Sequence, residues 1–361
     1  MPSNHEIDRK KATPLKIVSF RNVNQWVSND VINHCENALA GMDAHYTVSG
    51  INPALFFLKK ILTTRINFFP GLRGNIFHGL QKIIRLKRND SIFLTCMSVY
   101  LLDLLWFYKT RGLKIAFIID AWENTIPYLV KNIEAADIFL VAYQDSIDLL
   151  KMQLDKQQQK KIFLFPNFIK PPVYKKKKKK KKYDLIQVGR KNPTLHQWAQ
   201  AYAKSRKLTY IYQKWNERGM YYLDNHPWER ANYQLSYSSL MQLIAQTKIV
   251  LLASPDKCNR QRTGNVSPLT HRLLEAAMCH TPMVGFPPDG REYAGVFPKD
   301  FIQVPQDYKH FEAICDRLAW DQTLRKRLTT QNAQYVKDKH STQARYRHLG
   351  QIIADYQRNS S

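Results

Sequence analysis

The chain has 361 residues, enough for about two domains, and its 55 lysines and arginines against 29 aspartates and glutamates give a net charge of +26. Hydrophobic residues make up 44% of it and aromatic residues 12%, which excludes a fully disordered protein. The charge indicates contact with polyanions: nucleic acid, an anionic membrane or phosphorylated ligands. Five widely spaced cysteines form no CxxC pair, so we expect free thiols in a reducing cytoplasm.

Short apolar runs alternate with helical stretches along the first half of the chain. We predict strands at residues 15–20, 45–48, 92–95, 114–119, 138–142 and 162–165. Residues 91–108 are apolar enough to resemble a membrane span, but Asp103 lies in their middle, so we interpret them as a strand and a helix over residues 99–110. The alternation predicts a parallel sheet covered by helices on both faces.

Prolines and a run of eight lysines at residues 175–182 then interrupt the pattern, which predicts a linker or exposed loop. A specific polyanion site is the alternative, although no aromatic residue is interleaved for stacking on single-stranded nucleic acid. Further strands are predicted at residues 184–188, 208–212, 249–252, 283–285 and 301–304, before a helical tail over residues 320–357. We therefore expect an N-terminal domain over residues 1–170, a linker over 171–182, a C-terminal domain over 183–338 and a final helix over 339–361 that packs back on the N-terminal domain.

Several strong catalytic motifs are missing. The sequence has no GxxxxGK[ST] loop, no GxGxxG after a strand, no HExxH and no GxSxG. It also has no Asp-x-Asp pair, so metal-assisted chemistry is not indicated.

Five strings, in order, carry a resemblance. Residues 136–150 read ADIFLVAYQDSIDLL, residues 161–167 KIFLFPN, residues 183–190 YDLIQVGR, residues 251–255 LLASP and residues 264–285 GNVSPLTHRLLEAAMCHTPMVG. This set resembles the GT-B glycosyltransferases of the group 1 (GT4-like) and CgeB-like kinds. The resemblance implies an α/β protein with two Rossmann-like domains whose parallel sheets face a cleft. The N-terminal domain would bind the acceptor, and the C-terminal domain a UDP- or GDP-linked sugar.

The string at residues 264–285 predicts a helix and a binding site on physical grounds as well. Ser267 suits a helix N-cap and Pro268 the first helical position, so we predict a helix over residues 268–279. Its free N–H groups would suit a phosphate, and Gly264 permits close approach of the backbone. Glu275 lies two turns along, and in the resemblance it binds the ribose hydroxyls, a task that suits a carboxylate accepting two hydrogen bonds. The alternative for Glu275 is a solvent-exposed helix residue.

Charged residues at the ends of strands supply the candidate chemistry. Arg190 follows a buried strand, where its guanidinium would hold the diphosphate and stabilise the leaving group, and Lys191 would assist. Asp120 ends a strand of the first half and is the candidate base. The alternatives are a surface ion pair for Arg190 and a cap on the next helix for Asp120.

The resemblance implies two sets of residues. The catalytic set is Asp120, Arg190 and Lys191, and the nucleotide-sugar set is Gly189, Arg190, Gly264, Asn265, Val266, Ser267, Arg272 and Glu275. No metal and no cofactor besides the donor substrate is expected.

Two departures from the family pattern matter. Ser267 stands where retaining families place a glutamate, and Arg272 before Glu275 is closer to the CgeB-like variant, so retention and inversion both stay open. Residues 21–26, RNVNQW, replace the usual glycine-rich loop after the first strand, so acceptor binding is expected to differ.

A basic segment lies between Asp43 and Asp90, where the chain has no carboxylate. Its cations are Lys59, Lys60, Arg65, Arg73, Lys82, Arg85, Lys87 and Arg88. Interleaved phenylalanines and isoleucines suit a surface on an anionic bilayer, whereas the alternative is an ordinary solvated helix face. We expect a cytoplasmic protein at the inner face of the cytoplasmic membrane.

The leading hypothesis is a glycosyltransferase that moves a sugar from a nucleotide sugar to a hydroxyl of a glycan or lipid-linked acceptor, in bacterial cell-surface polysaccharide synthesis. A catalytically idle GT-B protein that binds glycans or partners is the alternative, motivated by Ser267 and the missing glycine loop. A nucleic-acid-binding protein is motivated only by the charge, because no helix-turn-helix, RRM or zinc signature is present, and we expect no nucleic-acid partner.

Overall fold

The structure, a computed structural model, describes residues 15–19, 30–50, 89–96, 110–171, 181–189, 191–216, 219–224, 232–233 and 235–360. The strands are β1 Leu15–Ser19, β2 Tyr46–Gly50, β3 Ser91–Cys96, β4 Lys114–Ile118, β5 Ile138–Val141, β6 Ile162–Leu164, β7 Tyr183–Gln187, β8 Tyr210–Asn216, β9 Gly219–Asp224, β10 Asn232–Tyr233, β11 Thr247–Ala253 and β12 Met283–Phe286. The α-helices are α1 Asp30–Ala40, α2 Ile126–Lys131, α3 Gln144–Lys151, α4 Lys156–Gln159, α5 Pro193–Ser205, α6 Tyr237–Ala245, α7 Pro255–Cys258, α8 Arg260–Thr263, α9 His271–Met278, α10 Tyr308–Trp320, α11 Gln322–His340 and α12 Thr342–Ser360.

The N-terminal sheet has the order β2-β1-β3-β4-β5-β6, and all its strand pairs are parallel. Every residue of β3 and β5 is buried, as expected for strands covered on both faces. Continuous apolar runs such as Ile138–Val141 are therefore explained by burial on two faces. The six strands predicted in this half are confirmed.

The C-terminal sheet has the order β10-β9-β8-β7-β11-β12, in which β8, β7, β11 and β12 are parallel. The strands β9 and β10 extend its edge as antiparallel additions that were not predicted. The strand predicted at residues 301–304 is wrong, because only Gln303 forms an isolated bridge, with Val284. Phe301 instead closes a turn onto the Pro298 carbonyl, and Pro305 has no N–H to continue a ladder.

Two chain crossings connect the halves and lie side by side. The Ile169 N–H donates to the His340 carbonyl at 2.9 Å, and Ile169 bridges Ser341 in parallel. Helix α12 then contacts the N-terminal half, where the Tyr346 hydroxyl donates to Asp43 Oδ2 at 2.7 Å. The two crossings are thus held next to each other by backbone pairing.

Several sequence predictions fall outside the described residues: residues 99–109 of the helix predicted over 99–110, all eight cations of the basic segment, residues 21–26 and Lys175 to Lys180. Within the part of the chain that the structure describes, no helix combines the length and the apolar character needed to cross a membrane. All five cysteines are free thiols, as expected.

Candidate functional site

Loops that follow the parallel strands of the two sheets meet and form the candidate site. Gly189 follows β7 and Ser254 follows β11 in the C-terminal half, whereas Asp120 follows β4 and Gln144 follows β5 in the N-terminal half. Ligands of open parallel sheets bind at this edge. The loop between α8 and α9, residues 264–270, makes three polar contacts with the N-terminal half, through Asn265, Ser267 and Leu269.

Gly264 has a φ of +63° and lies directly against Glu123 of the other half. A side chain at this position would place its Cβ within 2.6 Å of the Glu123 Cβ. The adjacent Asn265 N–H donates to Glu123 Oε2 at 2.6 Å. Glycine is therefore required here both by the backbone conformation and by close packing.

Ser267 joins three segments of the chain. Its N–H donates to Asp145 Oδ2 at 3.0 Å, and its hydroxyl accepts the Asp289 N–H at 2.7 Å. It is therefore not the predicted N-cap: the helix begins at His271, with Thr270 in the cap position and no side-chain cap bond. The prediction was wrong because the Ser267 hydroxyl is engaged by a loop 22 residues away in sequence.

Glu275 is fully buried, which excludes the alternative of a solvent-exposed helix residue. Arg272 Nη1 donates to Glu275 Oε2 at 2.6 Å, while Glu275 Oε1 has no hydrogen-bond partner among the described residues. Burial, with the Glu275 charge as a further cause, raises the pKa values of Cys35 in α1 and Tyr237 in α6. The carboxylate therefore lies among residues from both halves. An unpartnered buried carboxylate oxygen is costly unless a ligand satisfies it.

Gly189 lies beside Arg272, as the predicted nucleotide-sugar set requires. Its φ is +83°, its N–H donates to Gln213 Oε1 at 3.0 Å, and a Cβ there would lie 3.7 Å from the Arg272 Cγ. Arg190 lies outside the described residues. The structure therefore brings Gly189, Arg272 and Glu275 together.

Lys191 faces a different neighbour. Its Nζ lies 5.2 Å from the ring centre of Tyr212, on β8, the strand that flanks β7 on the side opposite β11. Burial, and then the charge of Lys214, lowers the pKa of Lys191. Its ammonium is thus held on the β8 side of the site by a cation–π contact.

Asp120 is half-buried after β4, and its carbonyl accepts the Trp122 N–H at 2.9 Å. It does not cap the next helical turn, Glu123–Thr125, whose N-cap position is Trp122. Arg262 of the C-terminal half lies over the Trp122 ring at 4.0 Å. The segment that carries Asp120 therefore contacts the C-terminal half.

Three carboxylates that accept hydrogen bonds from the opposite half were not predicted from the sequence. Besides Glu123 and Asp145, Glu292 is almost fully buried and its Oε1 accepts the Gln144 N–H at 2.8 Å. Burial raises the pKa of Glu292, and the Asp145 charge adds to this effect. A Cβ on Gly290 would lie 3.2 Å from Glu292 Oε2 and 3.4 Å from Asp145 Oδ2, so both carboxylates border one point. In the sequence, these three residues stand out only as carboxylates that come shortly after a strand or a turn.

An open cavity of about 440 Å³ adjoins this loop cluster, lined by Asn192, Lys257, Phe286, Pro287, Asp289 and Val304. Asp289 joins the cavity to Ser267 through the hydrogen bond described above. Lys257 forms ion pairs with Asp289 and Asp256 in its wall. Over the described ranges, no group of three or more His, Cys, Asp or Glu side chains is arranged to hold a metal ion.

Residues 190–351 match the Glycosyl transferase-like family. No curated protein matches the chain in sequence. Among solved structures, HepE from Anabaena in complex with UDP-glucose is similar at a TM-score of 0.58 and 9% identity, over 94% of this chain and 99% of HepE. A glycosyltransferase from Rickettsia africae matches at 0.56 and 11%, over 96% of this chain and 99% of that one.

The pneumococcal O-GlcNAc transferase GtfA, in complex with UDP and GlcNAc, matches at a TM-score of 0.51 and 14% identity, over 77% of this chain and 59% of GtfA. This chain therefore spans about three fifths of the length of GtfA. These likenesses confirm the GT-B fold.

Proposed function

We propose that the chain moves a sugar from a nucleotide sugar to a hydroxyl of a glycan or lipid-linked acceptor, in bacterial cell-surface polysaccharide synthesis. The GT-B fold and the match of residues 190–351 to the Glycosyl transferase-like family support this proposal. The observation that carries the proposal is Glu275, a fully buried carboxylate whose Oε1 has no hydrogen-bond partner among the described residues. Its Oε2 accepts from Arg272, which lies beside Gly189 at the end of β7. A ribose diol supplies the two O–H donors that such a carboxylate accepts.

The donor diphosphate would meet cations rather than a metal. Arg190 and Lys191 follow β7 in the sequence, and Arg272 lies beside Gly189. Guanidinium groups bind phosphate oxygens with paired hydrogen bonds and stabilise the charge that develops on a leaving diphosphate. The cavity beside Asp289 is large enough for part of a nucleotide sugar.

Asp120 is the proposed base, because it follows β4 in the half expected to bind the acceptor. A carboxylate within reach of the acceptor hydroxyl accepts its proton as the new glycosidic bond forms. Donor entry requires an opening of the halves, since Glu275 is buried and the Asn265 and Ser267 N–H groups are held by Glu123 and Asp145. The diphosphate would compete with these two carboxylates for the loop N–H groups.

A thermal-shift screen tests the donor site. We expect UDP or GDP to stabilise the protein by about 2.7 kcal/mol at a hundredfold excess over Kd, whereas CMP has little effect. UDP is tested first, because HepE and GtfA are described in complexes with it. Since cations replace a metal, the shift should be the same in EDTA as in Mn²⁺. Stabilisation that requires Mn²⁺ would contradict the metal-free site, and no shift with any nucleotide would contradict the function.

The basic segment predicts binding to an anionic membrane. Each lysine or arginine near such a surface contributes about 1 kcal/mol, and the interleaved apolar side chains add burial that salt does not remove. We expect the protein to sediment with phosphatidylglycerol vesicles, much less with neutral ones, and to be released only partly by salt. Replacing Lys59, Lys60, Lys82, Arg85, Lys87 and Arg88 by glutamine should abolish binding and leave the nucleotide shift intact.

The lysine run at residues 175–182 is the competing cause of vesicle binding, so a deletion of the run is the matched control. If the deletion alone abolishes sedimentation, the run is the anchor and the proposal for the basic segment is wrong.

A further inference from the structure

A cavity of about 530 Å³ lies beside the two chain crossings. None of its lining residues belongs to the candidate site. Its walls come from the end of α1, from Lys170 in the first crossing and from the junction of α11 and α12 around Ser341. We call it the hinge cavity. Its volume is within the range of small-molecule sites, which is roughly 300–1,000 Å³.

The charges around the hinge cavity are unbalanced. Lys170, Lys337 and Arg347 line it, and none of the three forms an ion pair with the residues that the structure describes. Asp338 is the one carboxylate among its lining residues, and both its oxygens already accept hydrogen bonds from Gln334 Nε2, at 2.8 and 2.9 Å.

We propose that the hinge cavity binds a ligand that carries a phosphate group. Three like charges around one concave space repel one another, and an anion between them removes that repulsion and forms charge-assisted hydrogen bonds. A phosphate has enough oxygen acceptors to serve a guanidinium and two ammonium groups at once. The cavity geometry favours a small phosphorylated molecule or a lipid headgroup, which share this chemistry.

The position of the cavity gives the ligand a role. Lys170 belongs to the crossing that leaves the N-terminal half, whereas Lys337 and Arg347 flank the crossing that returns to it. A ligand that contacts all three would bind best to one relative orientation of the halves and would favour that orientation. This inference does not depend on the proposed transferase activity.

The test uses inorganic pyrophosphate as the probe, at fixed ionic strength, with hydrogen exchange as a local readout. We expect pyrophosphate to protect the amides of Ile169, Lys170 and residues 342–344. In the double variant Lys337→Gln/Arg347→Gln, the concentration needed for this protection should rise about tenfold or more for each lost contact. Both side chains are exposed, so the variant should fold like the wild type.

The matched control is Lys309→Gln/Lys326→Gln, which removes the same charge from exposed lysines outside the cavity. We expect it to keep the wild-type protection. Equal weakening in both double variants would show only general electrostatic attraction and would overturn the proposal, as would unchanged protection in the cavity variant. The cavity variant leaves every residue of the proposed donor site unchanged, so protection that is lost in this variant and kept in the control comes from the hinge cavity, and the nucleotide shift reports separately on the donor site.

Sedimentation with phosphatidylglycerol vesicles distinguishes the two sources of phosphate. If the cavity variant sediments less than the control variant, the ligand is a headgroup. If both sediment equally while only the cavity variant loses protection by pyrophosphate, the ligand is a free phosphorylated molecule. Either result supports a phosphate site in the hinge cavity.

Discussion

Glu275→Gln is expected to lower kcat/KM for the nucleotide sugar roughly 10- to 150-fold, which corresponds to the 1.5–3 kcal/mol of a hydrogen bond to a charged group. Glutamine keeps the size of the side chain, but its amide NH₂ cannot accept a hydrogen bond from the ribose diol. The loss should appear with every acceptor, because it concerns the donor. Initial rates at varied donor concentration measure it.

A donor with a 2′-deoxyribose makes this test specific. The wild type should lose activity with that donor, whereas Glu275→Gln should lose little more, because the interaction is already absent. Glu134→Gln is the matched control, since Glu134 is an exposed carboxylate that pairs with Lys161. Near-wild-type turnover of the ordinary donor by Glu275→Gln would show that the assignment of the ribose contact is wrong.

Gly264→Ala is expected to lower the free energy of unfolding by roughly 1–3 kcal/mol and to raise the KM for the donor. The positive φ of Gly264 disfavours any side chain, and the new Cβ would also overlap Glu123. Moving Glu123 away would break its hydrogen bond to the Asn265 N–H and reshape the loop. Urea unfolding and donor kinetics measure the two effects.

Gly295→Ala separates these two causes. Gly295 also has a positive φ, +73°, but a Cβ there would meet no atom within 4 Å. It should therefore show only the backbone cost. The double variant Gly264→Ala/Glu123→Gly, compared with Glu123→Gly alone, should recover the part of the loss that the overlap causes, because the Glu123 Cβ is itself within 2.6 Å of the new Cβ. If Gly264→Ala and Gly295→Ala cost the same, the contact with Glu123 does not hold the loop.

The contacts of the loop explain why we expect both changes to affect donor binding. Glu123 and Asp145 occupy backbone N–H groups of the loop that precedes Glu275. Glu292 makes the reciprocal contact, to the first turn of α3. The halves are thus joined by carboxylates that accept hydrogen bonds from the opposite backbone, in the region where an anionic substrate is expected.

The parallel strands of both sheets could be predicted from the sequence, because a parallel strand buried on both faces has to be a short, continuous apolar run. Residues 138–142 and 249–252 are such runs, and both are strands in the structure. The strands β9 and β10 were missed, because an antiparallel edge needs only its neighbour β8 and leaves no such run. The apolar residues at 301–304 predicted a strand. A turn at Phe301 and the missing N–H of Pro305 limit their pairing to one bridge.

For the candidate site, the sequence pointed to Gly189, Arg272 and Glu275 through the family resemblance. The structure places these three residues side by side, and their roles stay predictions. Only the tertiary structure decided what Ser267, Glu123, Asp145 and Glu292 do. Glu123 meets Asn265 across 142 residues of chain, and Gln144 meets Glu292 across 148. Hydrogen bonds between such distant residues leave no periodicity or spacing in the sequence, because they arise only when the loops of the two halves meet.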